Sequence, residues 1–74
     1  MAKQVKIKVL DTERDGPFQA VEVGEVYSAT QLERDEYDAY GDWVDEPSVA
    51  FTDEDGDLCV AHIRRHEGSR FEFV

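Results

Sequence analysis

Short segments of alternating apolar and polar residues, separated by glycine-containing turns, restrict this 74-residue chain to a small β fold. Lys3–Leu10 places Val5, Ile7 and Val9 on one face and polar side chains on the other, which predicts a half-buried strand. Similar segments predict further strands at 24–29, 43–52 (interrupted at Pro47), 58–63 and 71–74. We therefore expect one mostly β domain that spans residues 1–74.

The segments between the predicted strands indicate how they are connected. Asp11–Gly24 is too long for a tight hairpin and predicts a partly ordered loop, from which Phe18 and Val21 fold back onto the core. Asp53–Asp57 contains Asp-Gly and predicts a hairpin turn, and His66–Ser69 predicts the turn before the last strand.

Thr30 to Glu33 match a capping box, in which a threonine hydroxyl and a glutamate three residues later satisfy the first N–H groups of a helix. A short helix or helical turn is expected from Gln31 to Tyr40, ended by Gly41. The acidic residues of this segment have no basic partner four residues away, which keeps the helix short.

The order of these elements is strand, long loop, strand, insertion, strand, hairpin, strand, turn, strand. It predicts a five-stranded antiparallel barrel or meander and resembles the SH3-like barrel over nearly the whole chain. The first strand lacks the Ala-Leu-Tyr-Asp-Tyr-like run of peptide-binding SH3 domains, so binding of proline-rich ligands is not expected. The segments 6–11, 24–27, 55–57 and 71–74 are also similar to small proteins of tailed bacteriophages, a resemblance that implies no particular activity.

The net charge of −10 lies entirely within Glu33–Asp57, which contains eleven acidic residues and one basic residue, Arg34. This charge excludes the basic surface typical of direct nucleic-acid binding. Aromatic residues within the segment indicate an acidic surface on folded structure, and such a surface is suited to a basic partner protein. The predicted partner-binding residues are Glu33, Asp35, Glu36, Tyr37, Asp38, Tyr40, Asp42, Trp43, Asp45, Glu46, Asp53, Glu54, Asp55 and Asp57.

Tyr37, Tyr40 and Trp43 follow a three-residue spacing that would place them on one side of a helix. The favoured interpretation assigns them to the core, Trp43 especially. The second makes them aromatic anchors within an acidic rim, because tyrosine and tryptophan are enriched at interface hot spots.

Three patterns of reactive residues predict neither catalysis nor a metal site. Counted from Asp53 as the first position of an EF-hand loop, the sixth is Leu58 instead of glycine and the twelfth is Arg64 instead of glutamate. Cys59 and His62 differ by an odd number and point to opposite faces of a strand, while His66 lies beyond its end. Carboxylate pairs are too numerous to be specific. We expect no enzyme, cofactor or metal.

A single cysteine fits a reducing compartment, and the alternating N-terminus lacks the apolar segment of a signal peptide. No apolar run approaches the ~20 residues of a membrane span. A cytoplasmic binding module is expected, and in its strong form it would be a nucleic-acid mimic that inhibits a host protein. Mimicry requires 42–46 and 53–57 to face the same side. The alternative is a structural or self-associating protein whose acidic residues only provide solubility.

Overall fold

A computed structural model of the chain describes residues 3–37 and 41–74. The mostly β prediction is confirmed. The described elements are β1 (Lys3–Val9), β2 (Val26–Leu32), β3 (Glu36–Tyr37), β4 (Trp43–Val44), β5 (Ser48–Thr52), β6 (Leu58–His62), α1 (Ile63–His66) and β7 (Phe71–Phe73).

Five strands form one antiparallel sheet in the order β6-β5-β2-β1-β7, and β3 and β4 form a separate two-stranded ribbon. The sheet curls into a half-barrel that is consistent with a small SH3-like barrel. β1 lies between β2 and β7, with Ile7 opposite both Tyr27 and Phe73. β5 lies between β2 and β6 in the sheet. Its residue Phe51 lies opposite Ala29 of β2 on one side and Cys59 of β6 on the other.

One face of the curled sheet carries the core, as the alternation of β1 predicts. Its strand residues are Ile7, Val9, Ala29, Val49, Phe51, Ala61 and Phe71, and all are buried. The long first loop adds Phe18 and Val21, which confirms that this loop folds back onto the sheet. The Phe18 ring lies 5.2 Å from that of Phe51 and 5.7 Å from that of Phe71, so it fills the centre of the core.

Polar contacts fasten the first loop to the end of the chain. Arg70 donates from Nη1 to Oδ2 of Asp11 at 3.1 Å and also to the carbonyl of Thr12. Oε2 of Glu13 lies 3.6 Å from both Nε2 of His66 and Nε of Arg70. Because the Glu13 side chain is only 14% exposed, this carboxylate is a partly buried bridge between the loop and α1.

The predicted helix is wrong for Gln31 to Tyr37, and its last three residues lie outside the described ranges. β2 continues through Leu32, because Gln31 and Leu32 pair with β5 and Leu32 is buried. Thr30 caps no helix here, since its hydroxyl accepts a hydrogen bond from Gln4. Long-range sheet pairing therefore outweighs the local capping signal. Within the described residues, the helical turn is α1, between β6 and β7.

No helix within residues 3–37 and 41–74 has the length and apolar character that crossing a membrane requires.

Candidate protein-interaction site

A tight turn after β2 directs the chain into the β3–β4 ribbon. Asp35 has a φ of 71°, a left-handed conformation that aspartate tolerates better than most residues. Its N–H donates to the carbonyl of Val44 at 2.9 Å. The N–H of Glu33 donates to Oε1 of Glu36 at 2.6 Å, and this hydrogen bond lowers the pKa of Glu36. Two acidic residues thus build the turn as well as carrying charge.

The ribbon has a buried face and an exposed face. Glu36 lies opposite Val44, and Tyr37 lies opposite Trp43. Side chains alternate along a strand, so Val44 turns inward and is buried while its neighbour Trp43 turns outward. Tyr37 is 64% exposed and Trp43 is 54% exposed. The ribbon therefore presents two large aromatic side chains to solvent.

The two rings touch each other. Their centroids are 5.0 Å apart and their planes meet at 74°, an edge-to-face arrangement that favours aromatic pairs. Tyr37 and Trp43 are exposed, so the interpretation that places them in the core is wrong. Their spacing was interpreted as helical, but the two residues lie opposite each other on the strands of a ribbon. Tyr40, the third aromatic residue of the pattern, lies outside the described residues.

Acidic residues flank the aromatic pair along the chain. Asp35 precedes Tyr37 by two residues, while Asp42 and Asp45 lie on either side of the β4 strand, and all three are exposed. The side chain of Asp45 is 79% exposed. Asp38 is outside the described residues. We call the surface formed by Asp35, Tyr37, Asp42, Trp43 and Asp45 the aromatic–acidic surface.

The segment after β4 connects the ribbon to the edge of the main sheet. Oε1 of Glu46 lies 3.2 Å from Nδ1 of His62 on β6, and Oδ1 of Asp45 lies 4.0 Å from Nε2 of the same ring. Ser48 donates from its hydroxyl to the carbonyl of Glu46, and Ile63 donates its N–H to the carbonyl of Pro47. These contacts fix the base of the ribbon against β6.

The distal loop 53–57 forms the predicted hairpin turn. Asp53 donates its N–H to the carbonyl of Asp57, and its Oδ1 accepts from the N–H groups of Asp55 and Asp57. Oε2 of Glu54 accepts a 2.6 Å hydrogen bond from the Tyr27 hydroxyl. The carboxylates of Asp53 and Glu54 are therefore engaged in structure, while Asp55 and Asp57 are exposed.

Among the described residues, Asp53, Asp55 and Asp57 are the group whose ligand atoms lie close enough to hold a metal ion, within 4.8 Å of one another. Exposed acidic groups of this kind are common in proteins without a bound ion. Because the EF-hand spacing also fails, no metal site is assigned to this loop.

The acidic residues are divided between the two ends of β5. Asp45 and Glu46 precede this strand, and the distal loop follows it. A five-residue strand is about 16 Å long, so a partner must span β5 to reach both groups. Pro47 separates β4 from β5, which belong to different sheets, so residues 43–52 do not form one extended line.

Cys59, His62 and His66 do not converge on one site. Cys59 lies opposite Phe51 and packs against the core, whereas His62 lies three residues further along β6, as the odd spacing predicts. Burial raises the pKa of the Cys59 thiol to about 11, and its hydrogen bond to Asp53 adds to the effect. His66 is buried against Phe18, with Nδ1 3.0 Å from the carbonyl of His62.

Comparisons with models of known protein families, with curated proteins and with solved structures found no match to this chain.

Sequence reasoning named the residues of the aromatic–acidic surface but missed the ribbon that arranges them. Tyr37 and Trp43 are six residues apart and are separated by a segment that contains Gly41, a spacing compatible with a hairpin. The strand that begins at Trp43 is predicted, but its pairing with Glu36 and Tyr37 is a contact that no local pattern shows.

Proposed function

We propose that this protein is a small, acidic, non-enzymatic binding module whose aromatic–acidic surface engages a basic surface of another protein. The observation that carries the proposal is the solvent-exposed, edge-to-face pair of Tyr37 and Trp43 on the β3–β4 ribbon. Tyrosine and tryptophan contribute most of the binding energy at many interfaces. Large apolar rings exposed together commonly mark an interaction surface, because burial against a partner removes them from water.

The charge of the chain supports a basic partner. The acidic segment supplies the whole net charge of −10, and Asp35 and Asp45 carry part of it beside the aromatic pair. Charge of one sign accelerates encounter with an oppositely charged surface and disfavours acidic competitors. The ring pair would then supply affinity, while the carboxylates supply steering and orientation.

A finer form of the proposal concerns the kind of basic surface. Duplex DNA carries one phosphate charge per about 1.7 Å of its axis, and an acidic protein can occupy a site built for that charge. Asp55 and Asp57 in the distal loop are exposed, as are Asp35 and Asp45, and mimicry requires the two groups to face the same side. In this form the module is an inhibitor, of the type that bacteriophages encode, that blocks the nucleic-acid site of a host protein.

The test is affinity capture from bacterial lysate with the tagged 74-residue chain, washed at low and then at high salt. The informative variants neutralise charge without changing shape. D35N/D45N alters the aromatic–acidic surface, and D55N/D57N makes the same change of two charges in the distal loop. Asparagine is suited to position 35 because it also tolerates the left-handed conformation.

Capture that salt reverses and that D35N/D45N abolishes supports the binding module. Additional loss in D55N/D57N, together with displacement by DNA or RNA, supports the mimic. Captured proteins that are indifferent to D35N/D45N overturn the assignment of this surface. If the protein instead associates with itself independently of salt, the structural alternative replaces the module, and the acidic residues then serve solubility.

A further inference from the structure

We propose that the Tyr37–Trp43 pair selects arginine over lysine side chains on its basic partner. This inference rests on the proposed function, because it specifies which cation the aromatic–acidic surface recognises. It follows from the combination of exposed aromatic rings with carboxylates on one small ribbon, and neither feature alone would give the same selectivity.

The geometry of the pair leaves aromatic surface available to a ligand. In an edge-to-face contact, the edge of one ring meets a face of the other, so each ring keeps a face that its partner does not cover. Exposures of 64% for Tyr37 and 54% for Trp43 show that this remaining surface is open to solvent. Val44 faces inward on the same ribbon, so the alternation of side chains along β4 directs the Trp43 ring outward.

Cations are attracted to aromatic faces by the negative charge of the π system. The two basic side chains differ in how they use such a face. The guanidinium of arginine is planar and weakly hydrated, so it stacks on a ring and loses little hydration. The ammonium of lysine is compact and strongly hydrated, and it retains more of its water at an exposed site.

The neighbouring carboxylates provide hydrogen-bond acceptors for the same guanidinium. A guanidinium can stack on a ring and at the same time donate paired hydrogen bonds from its edge to a carboxylate. Asp45 is two residues from Trp43 and its side chain is 79% exposed, so it is accessible to such a ligand. Glu46 is less suited to this role, because it is only 35% exposed and lies closer to His62, at 3.2 Å compared with 4.0 Å for Asp45.

The occupant is a different protein and not a second copy of this chain. Another copy could offer arginines of its own, since Arg14, Arg34, Arg64 and Arg65 are all exposed. However, two chains that each carry a charge of −10 repel each other as they approach. A separate basic partner gains from the same charge, which makes it the occupant that the electrostatics favour.

The test compares octa-arginine with octa-lysine as probes, since the two peptides carry equal charge. Trp43 is the only tryptophan of the chain, so its fluorescence reports binding at the site itself. Affinities of the 74-residue chain are measured by this signal and by calorimetry, at low salt. The variants are Y37L and W43L. Each keeps an apolar side chain at its position but removes one aromatic ring. F73L is the matched control, because Phe73 is a partly exposed aromatic residue on β7.

Octa-arginine is expected to bind the wild-type protein more tightly than octa-lysine. The ratio of the two affinities should fall about two- to fivefold in Y37L, and by a similar factor in W43L. The ratio should stay unchanged in F73L, because that ring lies outside the ribbon. Circular dichroism and thermal melting establish that each variant is folded, and Y37L retains the fluorescent reporter if W43L proves unstable.

The possible failures separate this inference from the proposed function. Equal binding of both peptides by the wild-type protein overturns arginine selectivity and leaves the binding module intact. The same is true if the ratio is unchanged in Y37L and W43L, since the carboxylates would then account for any preference. If neither peptide binds, both proposals fail. Self-association that Y37L and W43L abolish would assign the surface to a second copy and overturn the inference.

Discussion

The Tyr27 hydroxyl lies between two segments of chain that are distant in sequence. It donates to Oε2 of Glu54 at 2.6 Å and accepts from the N–H of Glu22 at 3.0 Å. Glu54 also donates its own N–H to the carbonyl of Ala20 at 2.9 Å. The distal loop is thus fastened to β2 and to the first loop, although it is the tip of a hairpin.

This arrangement predicts an alkaline weakening of the fold. Desolvation is the largest cause of the raised pKa of Tyr27, and the hydrogen bond to Glu54 is the next. A raised pKa in the folded state means that the stabilisation is complete below the pKa of the unfolded chain and is lost as the pH rises through the folded value. Tyr27→Phe should reduce stability by about 1 kcal/mol near neutral pH and flatten the alkaline decline.

Urea unfolding at a series of pH values measures both effects. Glu54→Gln is the companion variant, because it should lower the pKa of Tyr27 while keeping a hydrogen-bond acceptor in place. Ultraviolet titration of the tyrosines detects that shift. An unchanged alkaline decline in Tyr27→Phe would assign the pH dependence to another group.

Cys59 should react slowly with alkylating reagents at neutral pH. The thiolate is the reactive form, and burial together with the hydrogen bond from Sγ to Oδ2 of Asp53 raises the pKa of the thiol to about 11. Asp53→Asn should lower this pKa and accelerate reaction with iodoacetamide, because it removes a negative charge near the sulfur. The rate is measured against pH by mass spectrometry of the intact protein.

Asp55→Asn is the matched control for Cys59, since it removes the same charge from the same loop without a hydrogen bond to the sulfur. Equal acceleration in both variants would show that general loosening of the loop, and not the contact with Asp53, controls reactivity.

Elements of this fold that depend on neighbouring residues follow from the sequence, whereas those that depend on distant partners do not. Val5, Ile7 and Val9 predict β1 correctly, because alternation on a half-buried strand depends only on neighbours along the chain. The Asp55-Gly56 turn is correct for a similar reason, since glycine supplies the left-handed conformation that the turn requires. The predicted burial of Phe18 is also correct, because removing a large aromatic side chain from water is favourable.

Failure of the sequence prediction between Thr30 and Trp43 has one cause. The capping box is a signal from neighbouring residues only. Gln31 pairs with Val49, eighteen residues away, and a pattern of neighbouring residues contains no information about that partner. Once β2 extends through Leu32, the chain must turn at Asp35, and the ribbon follows. Exposure of Trp43 depends on that ribbon, so the interpretation of its spacing as helical assigned it to the core.

Glu13 should contribute more to stability than other acidic residues of the first loop. Its carboxylate is 14% exposed and lies 3.6 Å from both His66 and Arg70. Glu13→Gln keeps the shape but removes the charge that both partners face, and it should cost about 1–3 kcal/mol. Glu25→Gln, at an exposed position, should change stability by less than about 0.5 kcal/mol.

Gly16 provides an independent check of the Glu13 bridge. A Cβ atom added at Gly16 would lie 2.0 Å from Oε1 of Glu13, and the φ of 122° at this position also disfavours any side chain. Gly16→Ala should therefore displace Glu13 and destabilise the fold, with little further loss when it is combined with Glu13→Gln. Additive losses in the double variant would show that Gly16 acts through backbone conformation alone.

Two substitutions at Asp35 test whether the turn before β3 positions the aromatic pair. Asp35→Gly and Asp35→Ala remove the same charge, but only glycine adopts a φ of 71° without strain. Asp35→Ala should be less stable than Asp35→Gly by about 1 kcal/mol. If the turn fixes the ribbon, alanine should also shift the fluorescence of Trp43 towards that of a solvated indole, because the contact with Tyr37 would loosen. Equal stability and identical spectra of the two variants would mean that the ribbon is held by Val44 and the contacts at its base.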